Sequence, residues 1–195
     1  MGADGKRAFL SLLGRDTMTM KRAVPVLFAV CLLSLGLTFQ GLASEAGPDV
    51  FGKGTVVQIG VVVNDIEKAG QAYADFLGVA APEWSWTDAQ DKAHTQFKGL
   101  PSPARAKLAF IKLRNITLEL IEPDRNPSTW REFLDTRGQG IHHIAFEVKG
   151  MDEKTALLAK KGLPLLQKGD YEGGRYAYID GTVGLGLILE LLENF

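Results

Sequence analysis

The chain has 195 residues, a formal charge of −1 and a single cysteine. Its 22 basic and 23 acidic side chains are interspersed, with no basic cluster dense enough for nucleic acid, so that class of function is set aside. One cysteine also excludes a disulfide framework, so the fold must rest on a hydrophobic core.

The first 43 residues differ from the rest. Lys21-Arg22 precedes the apolar run "AVPVLFAVCLLSLGLTFQ", and "GLAS" follows with small residues. That order predicts an export signal cut near residues 43–46 and a periplasmic or extracellular product, the alternative being an anchor left in the membrane. Met18 or Met20 would open a more compact signal. The extension holds five basic and two acidic side chains, which leaves the remainder at −4.

"TVVQIGVVV" predicts a strand. A helix follows, capped by Asp65, with Ile66, Ala69, Tyr73 and Leu77 on one side and Gly78 at its end. "PEWSWTD", a polar loop, and two strands, "AKLAFIKL" and "ITLELI", come next, the last two joined by a turn at Arg114-Asn115. The segment "EPDRNPSTWREFLDTRGQG" predicts an ordered connector. Its short helix starts with Asn126-Pro127 as cap and first turn, carries Trp130, Phe133 and Leu134 on one side, and closes at Gly138 to Gly140. From Ile141 the order repeats: a strand "IHHIAFEV", a helix "MDEKTALLAKKG", then "LPLLQK", "RYAYID" and "LGLILELL". "QIGVVVNDIEKA" lies over "HIAFEVKGMDEK" at a constant offset of 85, without a gap. The sequence therefore predicts an α+β domain over 54–193. It consists of two pseudosymmetric βαβββ modules, 56–122 and 141–193, joined by connector 123–140.

Each module carries one polar residue in its first strand and one in its last: Gln58 with Glu119, and His143 with Glu190. Glu119 stands between Leu118 and Leu120, and Glu190 between Leu189 and Leu191. A carboxylate inside such an apolar strand is costly unless paired or coordinated. Gly60 and Ala145 leave room beside Gln58 and His143. One imidazole, one amide oxygen and two carboxylates suit a divalent metal such as zinc, nickel, cobalt or manganese. A polar trough with a satisfied core histidine is the competing reading. Strict alternation sends His142 to the opposite face, between sheet and helix or at an edge.

With these residues in place, the sequence resembles the vicinal oxygen chelate superfamily, the glyoxalase, epimerase and extradiol dioxygenase group, over about residues 54–193. The resemblance implies a cup of two βαβββ halves around a metal, with ligands on the first and last strand of each half: Gln58, Glu119, His143 and Glu190. That ligand set resembles the zinc type of glyoxalase I, and implies a metal-dependent lyase or isomerase in which Glu190 or Glu119 moves a proton beside a carbonyl. The connector "LELIEPDRNPSTWREFLDTRGQGIHHIAFEV" instead resembles methylmalonyl-CoA epimerase, which implies return of the proton to the same carbon. That pattern has histidine where this chain has Gln58, a further catalytic glutamate with no counterpart in "SPARAKLAF", and "HP" where this chain has "YID". A dioxygenase needs two histidines and a carboxylate, and this set has a single histidine, His143. A non-catalytic small-molecule binding protein is the remaining alternative. The expected partner is a small molecule with adjacent oxygens. An anionic tail on it would meet Arg105 and Lys107, or Arg125 and Arg175. "DYEGGRYAYID" is read as a flap bending at Gly173-Gly174, Tyr176 and Tyr178 as packing residues on one face, and a homodimer is compatible with the composition.

Overall fold

The computed structural model describes residues 50, 51 and 54–195. The export signal read from the first 43 residues lies outside them. Ten strands and four helices follow in the order β1 (Val56–Val62), α1 (Ile66–Leu77), β2 (Trp84–Trp86), α2 (Gln90–Ala93), β3 (Gln96–Phe97), β4 (Leu100–Pro101), β5 (Ala106–Lys112), β6 (Thr117–Pro123), α3 (Thr129–Arg137), β7 (Gly140–Glu147), α4 (Met151–Lys160), β8 (Leu165–Tyr171), β9 (Gly174–Gly181) and β10 (Leu187–Asn194).

All ten strands belong to one mixed sheet of order β2-β5-β6-β1-β7-β10-β9-β8-β3-β4. At its centre β1 runs antiparallel to β7. Outward from that pair, β1 and β7 each have a parallel neighbour, β6 and β10, and then an antiparallel one, β5 and β9. The parallel pairs place the first and last strand of each predicted module side by side.

The alternation of side chains divides the core by sheet face. On the outer face α1 packs Ile66, Ala69, Tyr73 and Leu77 onto Val61, Ala109, Ile111 and Leu120, and α4 packs Met151 and Leu158 onto Ala177, Ile179, Leu189 and Leu191. On the inner face Val62, Ile121, Tyr178 and Ile188 pack with Trp130 of α3. Fully burying one Leu or Ile side chain contributes about 1.5–3 kcal/mol, so the strand interiors anchor both faces. Asp65 caps α1 by accepting from the Lys68 amide at 3.0 Å, and Gly78 ends the helix at φ 68°, as the sequence predicts.

Two local features differ from the sequence reading. Helix α3 begins at Thr129, and Ser128 is its cap, accepting from the Arg131 amide at 3.0 Å. Asn126 is instead engaged by Asp124, whose carboxylate accepts from the Asn126 backbone and side-chain amides at 2.9 and 2.7 Å. The polar loop contains α2, β3 and β4, and β3 pairs with β8 through Phe97 opposite Gln167. "DYEGGRYAYID" is a tight hairpin between β8 and β9, with Tyr171 paired to Gly174 and Gly173 at φ 81°. The ladder continues up to the turn, and the bend falls at Gly173-Gly174 as the sequence predicts.

Candidate metal centre

The inner face gathers the predicted residues from the four central strands. β6 and β10 are three strand spacings apart, about 14 Å in a flat sheet. The curl of the sheet and the inward lean of the side chains close that gap. One ligand atom each from Glu119, His143 and Glu190 lie within 4.8 Å of one another. The His143 Nε2 atom is 3.0 Å from Glu190 Oε2 and 3.5 Å from Glu119 Oε2. All three residues are buried, His143 completely. Gln58 joins them by donating its amide Nε2–H to Glu119 Oε2 at 2.7 Å. The sequence reading offered its amide oxygen to the metal, whereas here the nitrogen faces the cluster and steadies a carboxylate.

Gly60 makes this arrangement possible. A Cβ at that position would stand 1.9 Å from His143 Cε1 and 2.4 Å from both ring nitrogens. The imidazole therefore lies directly over the Gly60 backbone and leans toward Glu119 of β6. On its other side the Tyr178 ring centroid is 5.0 Å away.

His142 does not take the opposite face. Gly60 pairs with His143 and Val61 with Ile141, which leaves His142 as an extra residue in β7. Such a β-bulge breaks the two-residue alternation. His142 is buried beside His143, with the two Nδ1 atoms 3.0 Å apart. Its ring packs edge-on against Phe133 of α3 and Tyr178 of β9. A doubled histidine in a strand shows nothing of the bulge, so its partnership with His143 is invisible before folding.

The electrostatics are those of a site short of positive charge. Burial and the neighbouring Glu190 charge push the Glu119 carboxyl up to about 8, against smaller opposing effects of His143 and Gln58. Burial works to lower the His143 pKa, but the charges of Glu190 and Glu119 outweigh it and raise it. Burial holds His142 well below the ordinary histidine range, and His143 adds to that effect. His143 Nε2 and Glu190 Oε2 stand at ion-pair distance, 3.0 Å. Buried charge is costly unless paired or coordinated, and one nitrogen plus carboxylate oxygens aimed at one another are the donor set of a borderline divalent cation. The residues fit such an ion.

These shifts have a pH consequence. A carboxyl whose folded pKa is raised binds its proton more tightly when folded, so its contribution to stability falls as pH rises from about 4.5 to about 8. A raised His143 acts in the same sense: its stabilisation is complete below the unfolded value of 6.5 and is lost as pH rises through the folded value. The metal-free protein is expected to lose thermal stability across pH 5–8.5, with Glu119→Gln flattening the slope. Calorimetry in the presence of a chelator checks both, and a wild-type Tm that rises with pH over that window would contradict the assignment.

The basic residues considered for an anionic tail are mostly engaged. Lys107 pairs with Glu122 at 2.9 Å, Arg175 with Asp152 and Glu193 at 2.9 and 2.6 Å, and Arg105 donates Nε–H to the Thr87 carbonyl at 2.8 Å. Arg125 is exposed. Tyr178 packs against both histidines and accepts from Trp130 Nε1 at 3.0 Å, so packing is its role here. A cavity of about 270 Å³ opens between α3 and the ends of β9 and β10, lined by His142, Phe133, Arg137 and Ile188 among others. His142 is the member of the histidine pair that lines it.

Residues 57–178 match the family model described as the glyoxalase/bleomycin resistance protein/dioxygenase superfamily. The chain belongs to this superfamily. It is 28% identical over 138 residues to the uncharacterised protein YqjC of Bacillus subtilis, covering 69% of this chain and 89% of that protein. It is also 28% identical over 134 residues to the mitochondrial methylmalonyl-CoA epimerase of Mus musculus, covering 66% of each chain. Among solved structures, a hypothetical protein of Bacillus halodurans superposes with a TM-score of 0.53 at 22% identity, over 73% of this chain and 95% of that one. That likeness is one of fold.

Proposed function

We propose that this protein is a metal-dependent enzyme that removes a proton from the carbon beside a carbonyl and returns it to that same carbon, an epimerase acting on a 2-branched acyl thioester. The observation that carries the proton-transfer reading is the convergence of two buried carboxylates on one buried imidazole: Glu119 and Glu190 stand 3.5 and 3.0 Å from His143 Nε2, so one can hold a cation while the other moves a proton. The similarity to a curated epimerase and the connector pattern support return to the same carbon. His143, Glu190 and Glu119 are the residues that would hold the cation. A bound divalent ion supplies positive charge next to the carbonyl oxygen as electron density builds there.

The chain's own residues do the rest. A carboxylate oxygen of Glu119 takes the proton as the C–H bond breaks, and the electron pair moves onto the carbonyl oxygen. Delivery of the proton back to either face of the carbon completes epimerisation. Gln58 holds the carboxylate in place by its hydrogen bond, and the buried inner face keeps bulk water from competing. The strand order outward from β1 and β7 and the offset of 85 support the further reading that two copies of one βαβββ unit build this face.

A second reading rests on the donor identities. Gln58, Glu119, His143 and Glu190 form the set that resembles glyoxalase I, in which the proton goes to the neighbouring carbon. Incubating metal-loaded protein in deuterium oxide with 2-methyl-branched acyl thioesters, and separately with hemithioacetals, separates the two. Solvent deuterium at C2 of recovered, racemised thioester is the expected result, and Glu119→Gln should slow it at least about 100-fold. Turnover of the hemithioacetals alone would move the assignment to the lyase. Saturable binding with no exchange in either class would leave a binding protein.

A further inference from the structure

The bulge at His142 places two histidine Nδ1 atoms 3.0 Å apart in a buried setting. Two ring nitrogens at that distance share one proton, with one donating and the other accepting. A histidine that ligates a cation through Nε2 carries its proton on Nδ1. His143 Nε2 is the atom turned toward Glu190 and Glu119, so its Nδ1–H must be the donor and His142 Nδ1 the acceptor. His142 is then obliged to carry its own proton on Nε2, on a ring that lines the 270 Å³ cavity. Phe133, at 5.3 Å and 79°, and Tyr178, at 5.2 Å and 87°, hold the His142 ring edge-on, so the acceptor is fixed before any ion arrives.

We propose that His142 is a positioning residue: it accepts the His143 Nδ1–H, which fixes the tautomer of His143 and aims its bare Nε2 at the cation. The proposal rests on the metal reading above and assigns a role outside the ligand set. Ligating histidines are generally oriented by a partner on their other nitrogen, and loss of that partner typically weakens metal binding by about 10–100-fold. Here the partner is the preceding residue in the same strand, within reach because the bulge turns both rings to one side.

The probe is zinc alone. Zinc affinity is measured by competition with a chromophoric chelator, and long-range proton–nitrogen NMR on histidine-labelled protein reads the tautomer of each ring. Zinc-loaded wild type should show His143 protonated on Nδ1 and His142 on Nε2. His142→Phe, which keeps a ring for packing but removes the acceptor, should lower zinc affinity about 10–100-fold. His142→Asn, whose side-chain oxygen can stand near the Nδ1 position, should recover most of it. A structural role alone would not be rescued by the smaller Asn and would not set a tautomer. If His142→Phe does not fold, the wild-type tautomers and the Asn variant still decide. Wild type that binds zinc with His142 protonated on Nδ1, or a folded His142→Phe with unchanged affinity, would overturn the proposal while leaving the metal reading intact. Wild type that takes up no zinc would remove both.

Discussion

The His143→Ala protein is expected to contain no more metal than a chelator-treated control, its affinity lowered by more than about 100-fold, beyond the loss produced by removing an outer partner. His143 is the one nitrogen donor among Glu119, His143 and Glu190, and soft-to-borderline ions gain most from it. The substitution also removes the positive partner of two buried carboxylates that repel each other. Breaking a buried pair from one side costs about 3–5 kcal/mol. The variant should therefore unfold at lower urea concentration than wild type, with the gap narrowing as pH rises and His143 of the wild type loses its proton. Pairing the change with Glu190→Gln removes the repulsion and should restore part of the stability but none of the metal. Elemental analysis and urea titration of the three proteins make the test. Equal metal in wild type and His143→Ala would return the cluster to a polar trough.

Adding a single methyl group where no ligand is touched should disable the same centre. In Gly60→Ala the new Cβ would overlap the His143 ring, 1.9 Å from Cε1. The ring is fully buried and wedged by Tyr178 and His142, so it is no flexible tip that can swing aside. Either the β1 backbone moves or the imidazole leaves its place over Gly60. Overpacking of this kind costs about 1–3 kcal/mol, and both outcomes displace Nε2 from the two carboxylates. Gly60→Ala is expected to lose metal nearly as completely as His143→Ala while keeping every donor. A Gly60→Ala protein with wild-type Tm and full metal content would show that the ring does not lie across that glycine.

Much of the frame was legible in the residues themselves. Asp65 and Gly78 mark the ends of α1 because a carboxylate cap and a left-handed glycine act within a few residues. Glu119 and Glu190 stood out because each interrupts a run of leucines, and burial of those runs carries the carboxylates inward. Gly60 and Ala145 marked the side of each strand with room for a larger neighbour. Local chemistry also misled. Asn126-Pro127 has the form of a helix start, but Asp124 engages the Asn126 amides while the Ser128 hydroxyl accepts from the Arg131 amide, which shifts the cap by two residues. The pairing of β3 with β8 joins residues 70 apart, such as Phe97 and Gln167, and nothing in a two-residue strand announces its partner.

The sequence by itself determined which residues are candidates: a repeated order of elements, four polar positions in apolar strands, and small residues beside two of them. Only the tertiary structure decided how they meet. Alternation along β7 sends neighbouring side chains to opposite faces as long as the ladder with β1 is unbroken, and the bulge that turns His142 beside His143 exists only in the pairing of two strands. The curl that draws Glu119 and Glu190 onto one imidazole is likewise a property of the assembled sheet, set by how α1, α4 and α3 pack on its two faces, and no single strand encodes it.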